Sequence, residues 1–204
     1  MIKSLKQYLS LRGLLDKKPK EKTLSEKAAD FARLKHANQK RKYTSEPYFN
    51  HCEEVANILQ ALSSDGSECK GNEELIAAAY LHDTLEDTDT TYEELVENFG
   101  SIVAKFVLEV TDVSKPSDGN REARKKLDRL HIAKSSRGGM NIKLADLISN
   151  SRSIVQHDKN FAKVYLEEKK ELLDVLIHGD LSLFHNAVIT WSDAMTNLEN
   201  NSNN

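Results

Sequence analysis

Helix breakers are scarce along this chain, with three prolines and eight glycines spread over 204 residues. Apolar residues recur at three- and four-residue intervals, and no run alternates as a half-buried strand would. A chain patterned this way buries its apolar stripes helix against helix, so the expected fold class is all-α. Its 204 residues suffice for one domain with a sizeable core. The capping sequence Thr23-Leu24-Ser25-Glu26 starts a helix expected to run to about residue 40, with Ala28, Ala29, Phe31, Ala32 and Leu34 on its apolar side. The spacing predicts further helices over residues 49–62, 73–87, 91–98, 101–110, 120–136, 140–155, 160–178 and 180–195. Residues 41–47, 63–72 and 111–119 read as loops. The main domain is expected over residues 23–195, preceded by a helical extension over 1–22 and followed by a frayed polar tail over 196–204. There is no internal repeat, and no linker is long enough to separate a second domain from the first.

Composition removes several function classes. A net charge of −3 argues against a protein built to grip nucleic acid backbones. No apolar stretch approaches the roughly 20 residues a membrane span needs. Lys3, Lys6, Arg12, Lys17, Lys18 and Lys20 interleave with leucines in the first 22 residues. That segment has no continuous apolar core and no small-residue cleavage site, so it reads as a packed amphipathic helix and not as a signal peptide or membrane anchor. Cys52 and Cys69 form neither a zinc nor a disulfide pattern, which fits a reducing cytoplasm.

The chemistry concentrates in Ala78-Ala79-Tyr80-Leu81-His82-Asp83-Thr84-Leu85-Glu86-Asp87-Thr88. On a continuous helix Glu86 lies over His82 and Asp87 over Asp83, which sets an acid/base pair beside a metal-binding pair. Carboxylates this close repel one another unless a cation sits among them. The plainer reading is an acidic, solvated helix end; the apolar run Leu75 to Leu81, which buries the helix, argues against it. One helix cannot surround a cation, so other segments must contribute. His51 follows Pro47-Tyr48-Phe49-Asn50 at a helix start, and Asp146 follows Ile142-Lys143-Leu144-Ala145 inside an apolar helix. Read singly, His51 could cap a helix and Asp146 could pair with Lys143 or Arg152. Together, two histidines and two aspartates suit manganese, iron(II), cobalt or zinc better than calcium. Arg41, Lys42 and Lys143 are available for an anionic ligand, while the basic run over residues 121–129 reads as a solvated surface.

The order of these segments resembles the HD-domain phosphohydrolases. More closely, it is similar to the hydrolase domain of RelA/SpoT proteins, which hydrolyse the alarmones ppGpp and pppGpp. The resemblance runs from about residue 23 to 186 and is carried by His36-Ala37-Asn38-Gln39-Lys40-Arg41-Lys42, Pro47 to His51, His82 to Thr88, Phe99-Gly100, Val110-Thr111-Asp112, and Ile142 to Asp146 with Asn150 and Arg152. It implies a single-domain HD helical bundle in which His51, His82, Asp83 and Asp146 coordinate one manganese ion. Glu86 and Asp87 would handle the attacking water. Arg41, Lys42, Lys143, Asn150 and Arg152 would lie around the nucleotide and its phosphates. The implied reaction releases pyrophosphate and leaves a 3′-hydroxyl, and the short chain implies a stand-alone hydrolase of a small nucleotide. The sequence departs from the family at Cys52, where proline is usual, at Asn38 for glycine, and at Leu147-Ile148-Ser149 for Arg-Leu-His. These changes bear on base and phosphate recognition, which keeps ppApp, pApp and NADPH among the expected substrates. Two competing readings are an HD phosphohydrolase of another nucleotide, such as a nucleotidase or NADPH phosphatase, and a catalytically silent alarmone-binding module. Glu86-Asp87 argues against the first, and the complete set of ligands and acids against the second.

Overall fold

The protein is described by a computed structural model covering residue 4, residues 21–62 and residues 72–202. In this range the chain forms ten α-helices: α1 Leu24–Lys35, α2 Phe49–Leu62, α3 Glu73–Leu81, α4 Thr84–Asp87, α5 Tyr92–Phe99, α6 Ser101–Val110, α7 Arg121–Ile132, α8 Arg137–His157, α9 Lys159–Leu173 and α10 Leu181–Ser202. A 3₁₀ turn, Pro116–Asp118, precedes α7. Among the described residues the only β pairing is an isolated antiparallel bridge between Lys40 and Pro47, so the fold class is all-α as expected. No helix in this range is long and apolar enough to cross a membrane.

Helix α3 forms the centre. Its Leu75, Ile76, Ala77, Ala78, Ala79 and Leu81 are all buried, because the helix is apolar all round and its alanines let neighbours approach closely. It packs against α1, α2 and α6. The long α8 lies beside α2, α6, α9 and α10 and contributes Met140, Ile142, Leu144, Ala145, Leu147 and Ile148 to the same core.

Local chemistry sets the helix starts. Thr23 and Glu26 form the reciprocal capping box, and Asn72, Thr91, Asn120 and Ser136 each accept a hydrogen bond from a first-turn amide. Several boundaries differ from expectation, among them that of the helix expected over 120–136, which ends at Ile132, and that of α8, which starts at Arg137. Helix α1 stops at Lys35, short of residue 40, because His36 turns into the core, 1% exposed, and the chain is drawn back by Arg41 N–H to Glu46 O and Tyr48 N–H to Gln39 O. The expected helix over 73–87 breaks between Leu81 and Thr84, where the Thr84 hydroxyl donates to the Leu81 carbonyl at 2.7 Å; such local bonds compete with the helix ladder. Helix α9 ends at Leu173, short of residue 178. Helix α10 runs through the expected frayed tail to Ser202, with Met195 and Leu198 packed on a small second cluster around Tyr165 and Leu166. The amphipathic extension over 1–22 lies almost wholly outside the described residues, as does most of the 63–72 loop.

Candidate metal centre and active site

Three separate elements deliver the four ligand-type side chains. Pro47 ends the short bridge, so His51 sits in the first turn of α2. His82 and Asp83 occupy the break between α3 and α4, and Asp146 projects from the middle of α8. Both histidines are 1% exposed and Asp146 is 5%. One ligand atom from each of His51, His82 and Asp83 lies within 4.8 Å of the others. Asp83 Oδ2 stands 2.9 Å from His82 Nε2 and 3.6 Å from His51 Nε2. Asp146 Oδ1 stands 3.2 Å from His51 Nε2 and 4.0 Å from His82 Nε2. The break in the helix is what turns His82 and Asp83 together toward this point.

The two imidazoles are held in the tautomer a metal needs. His82 Nδ1 lies 2.9 Å from the Ala79 carbonyl, so it carries the hydrogen. Ser149 donates its hydroxyl hydrogen to Glu54 at 2.6 Å, so its oxygen accepts from His51 Nδ1 at 2.9 Å. Each Nε2 is thereby left facing the aspartates, and both are buried with no hydrogen-bond partner. Buried polar atoms are seldom left so. Two orphaned nitrogens and two carboxylates converging on one point fit a divalent transition-metal ion. The charge balance agrees. Burial lowers the His82 pKa, but the Asp83 and Asp146 carboxylates overcome it and raise it to about 9. Burial also pushes the aspartates up, yet His82 at Asp83 and Lys143 at Asp146 hold both below the usual carboxylate range. In the metal-free chain His82 and Lys143 offset the two carboxylates, and a divalent ion would take the place of the His82 proton. Tyr48 O–H donates to Asp83 at 2.6 Å, and the Asn150 amide donates to Asp146 at 2.5 Å, which fixes both carboxylates from behind.

Beside this cluster opens a cavity of about 190 Å³, into which Asp83, Glu86, Lys143, Asp146 and Asn150 face. Glu86 is accessible at the cleft wall, but the surrounding protein displaces much of its bulk water. That desolvation, together with the Asp112 and Asp83 carboxylates, raises its pKa to about 7 against the pull of Lys143. Its Oε1 accepts the Asp112 amide at 2.6 Å. Asp87 turns elsewhere: its Oδ2 accepts from Gln39 Nε2 at 2.9 Å, and it is not among the residues facing the cavity. The Asp87 amide still donates to the Asp83 carbonyl at 2.9 Å, one helical turn back, but of the two acids Glu86 alone lines the cavity.

The expected nucleotide-side residues divide. Lys143 is buried in the cleft floor, 3.5 Å from Asp146 Oδ2. Asn150 lines the cleft, and Arg41 donates to its Oδ1 at 3.3 Å from just behind. Lys42 is 74% exposed, lies 3.9 Å from Asp158 and sits over the Tyr43 ring, outside the residues that line the cleft. The side chain of Arg152 lies outside the described residues. The basic run expected to be solvated is not wholly so: Lys125 and Arg129 face the cleft from α7, and Lys169 from α9. Lys125 pairs with Asp112 at 2.6 Å. Burial lowers the Lys169 pKa to about 8. The three cations come from segments with no local motif. Only their convergence in space marks them.

The HD domain family matches residues 28–170 of this chain. The guanosine-3′,5′-bis(diphosphate) 3′-pyrophosphohydrolase of Aquifex aeolicus is 36% identical over 168 residues, covering 82% of this chain and 23% of that protein. The enzyme of the same description called MESH1 is 40% identical over 128 residues in Xenopus tropicalis, covering 62% of this chain and 67% of that protein. MESH1 of Homo sapiens is 40% identical over 130 residues with the same two coverages, 62% and 67%. A solved structure of a metazoan ortholog of SpoT that hydrolyses ppGpp superposes with a TM-score of 0.73 at 29% identity, over 84% of this chain and 96% of that one. The matched region is thus under a quarter of the Aquifex protein but about two thirds of the MESH1 proteins. The family match spans most of the chain, and the chain belongs to the HD-domain family, with similarity to the MESH1 and SpoT-type proteins.

Proposed function

We propose that the chain is a metal-dependent hydrolase removing the 3′-pyrophosphate from alarmone nucleotides, ppGpp first and the adenosine analogues ppApp and pApp after it. The observation that carries this is the pair of orphaned His51 and His82 nitrogens facing Asp83 and Asp146 beside a cleft that holds both an acid and three lysines. The resemblance of MESH1 and SpoT-type relatives supplies the substrate class. Mixed nitrogen and oxygen donors suit manganese, iron(II), cobalt or zinc better than calcium, and the family resemblance is what favours manganese among them. A hydrolase unit over residues 23–195 acting in the cytoplasm is included in the same reading.

A bound divalent ion would acidify a water and offset phosphate charge. The chain's own groups do the rest. Lys143, Lys125, Arg129 and Lys169 hold the diphosphate oxygens, with Asn150 and Arg41 against the nucleoside side and Lys42 and Arg152 at its edge. Asp87, held by Gln39 outside the cleft lining, has to give up that hydrogen bond to reach the attacking water and take its proton. Glu86, with a pKa of about 7, is half protonated near neutrality and gives its proton to the departing 3′-oxygen as the P–O bond breaks. Water oxygen ends on phosphorus, and the products are pyrophosphate and a 3′-hydroxyl.

A product assay with manganese over ppGpp, ppApp, pApp, NADPH and ordinary 5′-nucleotides tests the proposal. Pyrophosphate release from ppGpp and ppApp is expected. Leu147 and Ile148 are buried in the core and do not line the cleft, so they do not face the nucleoside as expected from the sequence; comparing catalytic efficiency on ppGpp and ppApp measures the base preference. Efficient cleavage of a 5′-nucleotide without 3′-phosphate, with neither alarmone touched, would replace this reading with the nucleotidase one.

A further inference from the structure

Ser149, which departs from the histidine usual in the family, is 1% exposed. Its hydroxyl has one hydrogen to give, and that hydrogen goes to Glu54 Oε2 at 2.6 Å. The hydroxyl oxygen therefore accepts from His51 Nδ1 at 2.9 Å. Glu54 lies three residues after His51 on α2, and Ser149 three residues after Asp146 on α8, so helical spacing brings the two pairs face to face. The same Glu54 carboxylate stands 3.6 Å from Arg41 Nη1. Arg41 in turn donates to Asn150 Oδ1 at 3.3 Å, which leaves the Asn150 amide hydrogens to reach Asp146 Oδ1 at 2.5 Å. The circuit begins on His51 and ends on Asp146, and Glu54 is the acceptor on which both arms converge.

We infer that Glu54, through Ser149 on one arm and Arg41 on the other, is the positioning residue that holds His51 and Asp146 in their metal-binding orientation and ties the metal centre to the nucleotide side of the cleft. The inference rests on the metal site proposed above. It makes the chain's serine at 149 one half of a working pair and not a lost contact. It also means that a change at Glu54, whose carboxylate is 37% exposed and does not line the cleft, is felt at the metal.

Titrating the metal-free full chain with cobalt(II), followed by visible absorption, tests this without relying on turnover. Ser149→Ala and Glu54→Ala are each expected to bind cobalt about 10–100-fold more weakly than the parent, the usual effect of removing a ligand's hydrogen-bond partner. Their absorption bands should shift, and the metal-free melting temperature should stay at the parent's. Glu54→Gln, which keeps an acceptor oxygen for Ser149, should recover much of the affinity. Equal cobalt affinity in parent and variants overturns the inference while leaving the metal site intact. So does a loss of affinity that only tracks a fall in metal-free melting temperature. A parent chain that binds neither cobalt nor manganese overturns the metal reading itself, and this inference with it.

Discussion

Glu86 shares the cleft with Lys143 and Asp112, whereas Asp87, its neighbour in sequence, is tied to Gln39 by a 2.9 Å hydrogen bond. That separation gives the two acids different work. Glu86→Gln and Asp87→Asn are each expected to keep the fold and bind metal like the parent, yet to lose about 10²–10⁴ in turnover, the usual weight of one general acid or base. Metal titration beside single-turnover hydrolysis checks this; a variant that folds but no longer binds metal would make its residue a ligand. Lys169 supplies a pH effect. Its folded-state pKa, about 8, lies below the ordinary lysine value near 10.4, chiefly through burial. The groups facing it are Asp146 and Asp112, which pull its pKa up, and Lys143 and Lys125, which push it down. Between those two pKa values the unfolded chain binds more protons, so stability rises with pH there. Below pH 8 the charged amine is a full cost. Lys169→Met keeps the contact with the Tyr165 ring, over which the amine now lies at 5.0 Å, and removes the charge. The variant is expected to be more stable than the parent at pH 7, with the gap closing toward pH 10 in urea denaturation; a gap independent of pH would contradict the assignment. The residues most open to sequence reasoning are those whose chemistry narrows the choice. His51, His82, Asp83 and Asp146, each open to a structural role when read singly and set together by the family resemblance, converge in the structure. Lys125, Arg129 and Lys169 are illegible in the sequence, since a lysine on a helix says nothing of which cleft the helix will face.

Helix existence follows from periodicity, and helix ends from capping only where the cap is local. Residues 49–62 and 101–110 match their elements, α2 and α6, at both ends. The central segment does not. An apolar run followed by acids carries no mark of the bond between the Thr84 hydroxyl and the Leu81 carbonyl at 2.7 Å, and that bond accompanies the break that aims the His-Asp pair. Likewise α1 gives no sign in its pattern that His36 turns inward and ends it. The α6–α8 contact offers a test at this scale. A Cβ on Gly138 would lie 2.5 Å from Cε1 of the Phe106 ring, a distance no ordinary contact reaches, and the ring is too stiff to fold away. Gly138 is the second residue of α8, so Gly138→Ala gains less than the roughly 1 kcal/mol of helix propensity that a helix interior would give. Overpacking of about 1–3 kcal/mol opposes it and is expected to win, because α6 must retreat or α8 must tilt. Chemical denaturation should therefore show a less stable chain. An unchanged or raised midpoint would mean that the two helices are not held at this spacing.

Across the whole molecule, the ligand-type residues are shared among α2, the α3–α4 break and α8, and α3 itself sits at the centre of the core, against α1, α2 and α6. A metal bound there would join segments that are distant in sequence, from residue 51 to residue 146, and would do so only in the folded chain. Metal that binds the folded state alone stabilises it by mass action, about 2.7 kcal/mol at a hundredfold excess over the dissociation constant. For a chain of this size each kcal/mol is worth roughly 2–4 °C, so manganese is expected to raise the melting temperature of chelator-treated protein by roughly 5–10 °C. Asp146→Asn should abolish most of that rise, because it removes the one contribution from α8 and leaves the cation held by the α2 and α3–α4 side alone. It is expected to lower metal-free stability as well, since Lys143 and the His51 ring favour the charged carboxylate and lose it. The two effects separate when melting is measured with and without manganese for parent and variant. A parent whose melting is indifferent to manganese, while its alarmone hydrolysis survives exhaustive chelation, would show that the convergence of these three elements serves the fold and not a metal.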